Sequence, residues 1–276
     1  MSGKVLPVTQ VLEDSFVYSC YFQKRRGYEK FLPHHTLSFQ ISGETHVYLE
    51  NGLLVLKKDQ ILLARKNQLV NSTKIPAADQ EYKCISVLLT SSMLQQFALD
   101  NGIDSNKKYE GKYILPLKPD ALLKSYFQSI LPYVEQSKKI SKKLAALKTN
   151  EAVELLLNLE PSLKTFLFDF SEPYKIDIEK FMQQNYHFNV PVENFAKLTG
   201  RSLTGFKRDF VKTFQTSPRR WLKERRLTEA HYLIKQKKKK PKEIYLDLGF
   251  EDLSHFYTSF KQKFGVTPEG VILQQS

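Results

Sequence analysis

From Tyr18 to about Thr90, apolar and polar residues alternate in short runs. LSFQI, HVYLE, LLVLK and QILLA are separated by turn residues at Ser42-Gly43-Glu44 and at Asn51-Gly52. A period of two predicts β-hairpins, and closely spaced strands with tight turns predict a compact antiparallel barrel or sandwich that hides its edges. From Ser91 the period lengthens. Ser91-Ser92 reads as an N-cap for Met93–Leu99, Pro119-Asp120 opens a second helix, and KKLAALKTNEAVELLLNL (142–159) carries apolar residues at helical spacing. Around FSEPYK (170–175) the apolar run TFLFDF gives way to Ser, Glu and Pro, which places a linker there. The expected domains are therefore 1–170, with strands over 18–90 and helices over 91–168, and 171–276.

Beyond the linker the pattern is helical throughout: 176–186, 192–198, 203–214, 219–236, 242–248 and 253–264, punctuated by Pro191, Gly200, Pro218, Pro241 and Gly249. One unit occurs twice. FKRDFVKTFQTSP (206–218) overlies FYTSFKQKFGVTP (256–268) at an offset of fifty, with Phe at 206, 210, 214 and again at 256, 260, 264. A short helix ending in glycine precedes each copy, VENFAKLTG (192–200) and KEIYLDLG (242–249). Helix, glycine-containing turn and longer helix make a helix-turn-helix, so two such units are expected at 192–214 and 242–264. The glycine stands six residues before the first Phe in one copy and seven in the other, so the second turn is the longer.

In the first long helix, Leu203, Phe206, Phe210 and Phe214 form one stripe, leaving Thr204, Lys207, Arg208 and Val211 on the opposite face. Lys and Arg can donate to guanine O6 and N7 in the major groove, and Thr suits a base edge or a thymine methyl. In the second, Leu253, Phe256, Phe260 and Phe264 are the apolar stripe, which exposes Ser254, Tyr257, Thr258 and Lys261. Together with Arg201, Ser202 and Lys212 around the first reading helix, these are the candidate DNA-contacting residues. The second face is less basic, so weaker or more shape-dependent readout is expected there.

Charge supports a nucleic-acid partner without requiring one. Lys and Arg number 42 against 29 Asp and Glu, giving +13 and a pI near 9.5. Residues 171–276 carry 20 basic and 12 acidic side chains, so the last third is the more basic part. No stretch approaches the roughly 18 uninterrupted apolar residues of a membrane span. The first residues lack a secretory pattern, and the two cysteines, Cys20 and Cys84, suggest no disulfide framework, so a cytoplasmic location is expected.

FAKLTGRSLTGFKRDF, SPRRWLKERRLTEAHYLI, LGFEDLSHFYTSFKQKFG and VTP, within 174–269, resemble the AraC-type (AraC/XylS) transcription regulators. The resemblance implies that SPRRWLKERRLTEAHYLI is one helix holding both reading helices on one face of duplex DNA, in successive major grooves about 34 Å apart. It also implies an activator that meets RNA polymerase, a cupin-like barrel over 18–90 and a dimerisation region at 119–160. The whole chain then reads as α+β: a cupin-like antiparallel β-barrel with trailing helices, followed by an all-α domain with two helix-turn-helix units joined by a long helix. Tyr245 departs from the family pattern where a small residue is usual and is expected to alter packing of the second unit. The lysine run 237–240 is either a solvated helix end or a set of phosphate contacts.

Little catalytic chemistry is legible in the first domain. His34, His35 and His46 do not make the His-x-His, Glu and later His set of a cupin metal centre, and neither a phosphate loop nor a Ser-His-Asp or Cys-His arrangement is present, so neither metal nor cofactor is expected. Adjacent His34 and His35 on a strand point to opposite faces. Cys20 and Cys84 read as core residues more readily than as redox sensors. The domain reads as a sensor for a small molecule in the barrel or a protein on its surface. The apolar positions of 144–157 suit a homodimer interface or packing on the barrel. Two other classes remain open at this level: a nonspecific nucleic-acid-binding protein, and a cupin-type enzyme with a helical appendage.

Overall fold

The computed structural model describes residues 8–49, 52–78, 81–104, 107–135, 140–171 and 175–273. The chain divides into two compact units, 1–171 and 172–276. Asn51 of the expected hairpin turn and Glu172, Pro173 and Tyr174 of the expected linker lie outside the described residues.

Among the described residues of the first unit, ten strands form two antiparallel sheets. One has the order β1 (Val8–Leu12), β2 (Phe16–Tyr21), β9 (Tyr82–Leu89), β4 (His35–Ser42), β7 (Ile61–Ala64), β10 (Ile114–Leu117); the other runs β3 (Arg25–Leu32), β8 (Gln68–Ile75), β5 (Glu44–Leu49), β6 (Gly52–Leu56). Ladder pairing does not pass from one sheet to the other among the described residues, so the expected barrel takes the form of two facing sheets rather than one closed ladder. Gly43 makes the β4–β5 turn at φ +73°, and a Cβ there would stand 2.4 Å from the Ile75 carbonyl oxygen. Strand β10 falls among the helices, where no strand was expected. Its short ILPL run contains Pro116, which cannot donate to a ladder, and it is tolerated because β10 is an edge strand that, among the described residues, pairs with β7 alone. Strand β1, before the expected start, lies at the other edge.

Four helices follow: α1 (Ser91–Asp100), α2 (Ala121–Glu135), α3 (Lys142–Leu159) and α4 (Leu163–Phe168). The α1 cap is Thr90, one residue before the expected pair, and accepts from the Met93 amide at 3.2 Å. Asp120 and Ser141 cap α2 and α3 in the same way. These helices bury Phe127, Leu156, Phe166 and Phe168 against Phe16, Leu37 and Ile85 of the larger sheet in one core.

The second unit is helical: α5 (Ile178–Asn185), α6 (Val192–Leu198), α7 (Leu203–Phe214), α8 (Pro218–Lys237), α9 (Pro241–Ile244), α10 (Leu253–Phe264) and α11 (Pro268–Leu273). Ser217 caps α8 and Pro218 occupies its first turn, where a missing N–H costs nothing. Helix α9 is shorter than the expected 242–248. The segment 245–249 continues as turns rather than regular helix, and Tyr245 is half-buried against the core formed by Leu227, Ile234, Phe256 and Phe260.

Candidate nucleic-acid interface

Helices α6 and α7 form the first helix-turn-helix. Gly200 turns the chain at φ +65°, and the Ser202 hydroxyl accepts from the Gly205 amide at 3.2 Å to start α7. Phe206 and Phe210 are fully buried, and Phe214 packs its ring 4.6 Å from that of Trp221 on α8. With that stripe fixed inward, Thr204, Lys207, Arg208, Val211 and Lys212 are all exposed. The Arg208 side chain is 78% exposed and rests 3.3 Å from Asp209.

Arg201 is placed differently. Its side chain is only 11% exposed. Nε donates to Asp209 at 3.0 Å, while Nη1 donates to the carbonyls of Ile176 and Thr199 at 2.9 and 2.7 Å. The guanidinium therefore fastens the turn to α7 and to the segment before α5, and its hydrogen bond holds the Asp209 carboxyl below the usual carboxylate range. Ser202 is exposed but already serves as the helix cap.

In the second copy Asp252 caps α10 by accepting from the His255 amide at 2.6 Å. Ser254, Thr258 and Lys261 are exposed. Tyr257 is half-buried and donates its hydroxyl to Glu269 of α11; burial first, then that carboxylate, pushes its pKa up to about 12. Tyr257 occupies the position of Lys207, so the second face lacks the cation that the first presents there. His255, which sequence reasoning passed over, is exposed beside Ser254 at the start of the helix. Its signal was available: it stands where the first copy has Gly205.

Both copies lean on α8. Trp221 closes over the first phenylalanine stripe; the His231 ring lies 4.7 Å from that of Phe264 of the second, tilted by 30°. Lys263 of α10 pairs with the Glu224 carboxylate at 2.7 Å and donates to the Thr228 hydroxyl at 3.0 Å. Arg226, also missed, donates Nε to the Tyr186 carbonyl (2.8 Å), Nη2 to that of Phe188 (2.8 Å) and Nη1 to that of Gly249 (3.0 Å). One side chain thus joins the loop before α6 to the turn before α10. The lysine run 237–240 is exposed and ends α8, with Lys238 in the left-handed region.

The first unit holds a partly open cavity of about 280 Å³ between its two sheets. Apolar residues such as Val17, Val47 and Leu88 share its wall with hydrogen-bonding side chains: Ser38 and Ser86 meet at 2.8 Å, Thr45 meets the Tyr82 hydroxyl at 2.8 Å, and the Lys74 ammonium donates to Ser19 at 3.3 Å beside the Tyr21 and Tyr82 rings. His34 lines this cavity, whereas His35 is fully buried on the other side of the strand against Phe166. His46 pairs with Glu44 at 2.9 Å. Among the described residues no three His, Cys, Asp or Glu are gathered for a metal ion. Cys20 and Cys84 are buried free thiols whose pKa values burial pushes up. No helix among the described residues is long and apolar enough to cross a membrane.

Two family models match the chain, a helix-turn-helix domain over 195–272 and the ExsA N-terminal regulatory domain over 35–167. The virulence regulon transcriptional activator VirF of Yersinia enterocolitica is 37% identical over 91 residues, covering 33% of this chain and 34% of that protein. The HTH-type transcriptional regulator ExsA of Pseudomonas aeruginosa is 32% identical over 127 residues, 45% and 46% of the two chains. These alignments thus span between a third and a half of the relatives' own length. The crystal structure of an apo ToxT variant from Vibrio cholerae superposes with a TM-score of 0.47 at 14% identity, over 94% of this chain and 97% of that one. By its matched helix-turn-helix and regulatory domains, the chain belongs to the AraC/XylS family of regulators.

Proposed function

We propose that this protein is a sequence-specific DNA-binding transcription activator whose second unit binds duplex DNA and whose first unit senses a signal. The observation that carries this reading is the pair of reading helices, α7 and α10, each pinned by a buried phenylalanine stripe to the same long helix. Thr204, Lys207, Arg208, Lys212, Ser254, Thr258 and Lys261 are the proposed contacts, joined by His255. Ser202 and Arg201 position the first reading helix, and Tyr257 positions the second. The protein acts in the cytoplasm by binding rather than by catalysis, with RNA polymerase and a second copy of itself as partners. The signal we favour is a small molecule with an apolar body and hydrogen-bonding groups, because the cavity between the sheets offers hydroxyls and an ammonium amid apolar walls.

The test is to mix the purified chain with sheared genomic DNA at moderate and high salt and to sequence what is retained. Enrichment of a motif with two blocks about one helical turn apart supports the reading. Featureless retention that vanishes with salt would mean electrostatic binding alone.

A further inference from the structure

Val211 is the one large apolar side chain exposed on α7, at 47% of its surface, and burial of the phenylalanine stripe does not account for it. At about 100° per residue it lies about 20° from Thr204 and about 40° from Lys207 around the helix, so it shares their face. Lys207, Arg208 and Lys212, all exposed, surround it. An apolar knob ringed by cations is poorly matched to an apolar protein surface, which would have to desolvate three charges. It suits a polyanion that carries a methyl group among its acceptors, which is what a thymine edge presents in the major groove.

The residue type adds to this. A β-branched side chain in a helix has essentially one rotamer, so its methyls are already placed and little entropy is lost when they are covered. Valine also lowers helix propensity relative to alanine, so helix formation gives no reason for it at an exposed position. We propose that Val211 is a specificity-determining residue that packs against the C5-methyl of a thymine, a step that rests on the DNA-binding reading above. Thr204 and Val211 are about 10 Å apart along the helix axis, so the thymine lies about three base pairs from the pair that Thr204 meets if α7 runs along the groove.

The experiment uses the full chain and a duplex carrying its selected site, with each thymine replaced in turn by deoxyuridine, which lacks only the methyl. For the wild-type protein, one position should lower affinity about fourfold, the value of one buried methyl-sized group at about 0.8 kcal/mol. In Val211→Ala the same replacement should make no difference, while the other thymines behave alike in both proteins. Equal deoxyuridine penalties in wild type and Val211→Ala at every position would overturn the assignment while leaving DNA reading intact. Failure of the wild-type chain to prefer its site over a scrambled duplex would overturn both. Circular dichroism of Val211→Ala checks that α7 still forms.

Discussion

Gly249 and Gly265 have nearly the same backbone, φ +77° and +76°, yet only one has neighbours. A Cβ on Gly249 would stand 2.5 Å from the His187 carbonyl oxygen and 2.8 Å from Cζ of Arg226, whereas one on Gly265 would meet nothing within 4 Å. Alanine at either site bears the left-handed penalty of about 1–2 kcal/mol. At Gly249 the methyl must also displace the guanidinium that donates to Tyr186, Phe188 and Gly249. Losing even one such charged hydrogen bond costs about 1.5–3 kcal/mol. Gly249→Ala should therefore cost about 3–5 kcal/mol and Gly265→Ala about 1–2, a gap of roughly 10 °C in melting temperature for a domain of this size. Trp221 is the sole tryptophan, packed on Phe210 and Phe214 in the second unit, so its fluorescence during urea or thermal unfolding follows that unit alone. Equal losses for the two variants would refute the claim that Arg226 clasps this turn.

Three further outcomes follow from the same geometry. Phe256→Ala should lower stability of the second unit by about 3–5 kcal/mol, read by Trp221 fluorescence, and an unchanged midpoint would show that the stripe faces outward. Tyr257→Phe should change affinity for the selected DNA site by no more than about twofold, because the hydroxyl is turned to Glu269; a tenfold loss would place it on DNA. His187 and His231 both have pKa values lowered by burial, with Arg226 and Lys235 respectively adding to the effect. The unfolded chain then binds protons first, so their contribution is present above the ordinary histidine pKa of about 6.5 and is lost as pH falls through the lower folded values. The second unit should lose stability from pH 7 to pH 5, less steeply in His187→Gln and His231→Gln, and identical slopes would remove histidine from the account.

What the sequence revealed depended on whether the signal was local. The phenylalanines fifty apart carry their own period, and α7 and α10 begin and end at the expected residues because cap, stripe and stop all lie within one segment. Helix α9 ends four residues before the apolar spacing predicts, because Leu246 and Leu248 continue that spacing while the chain is already turning toward Gly249. Strand β10 could not be read at all, since four residues containing proline become a strand only when β7 supplies the ladder. Arg201 shows the same limit at the interface. Its charge and place suggest DNA, but Ile176, twenty-five residues earlier, supplies a carbonyl that turns it inward. Arg226 reaches back forty residues and forward twenty-three, and no periodicity marks such a side chain.

The two reading helices act as one device only if their spacing is rigid, and α8 provides that rigidity by lending each copy a different part of its length. Trp221, near its start, completes the first core against Phe210 and Phe214, while Leu227, Ala230 and Ile234, further on, enter the second. A helix of 20 residues spans about 30 Å, close to the 34 Å between successive major grooves on one face of DNA. A flexible tether of that length would let each unit search separately and would tolerate variable gaps between half-sites. With α8 continuous, and with Glu224, Arg226 and Thr228 tying the loops and α10 to its middle, a changed gap must instead be met by bending the DNA. Inserting five base pairs between the two blocks puts the half-sites on opposite faces of the duplex, so affinity should fall to that of a single block. Retained affinity would mean that the two units move independently and that α8 does not hold them.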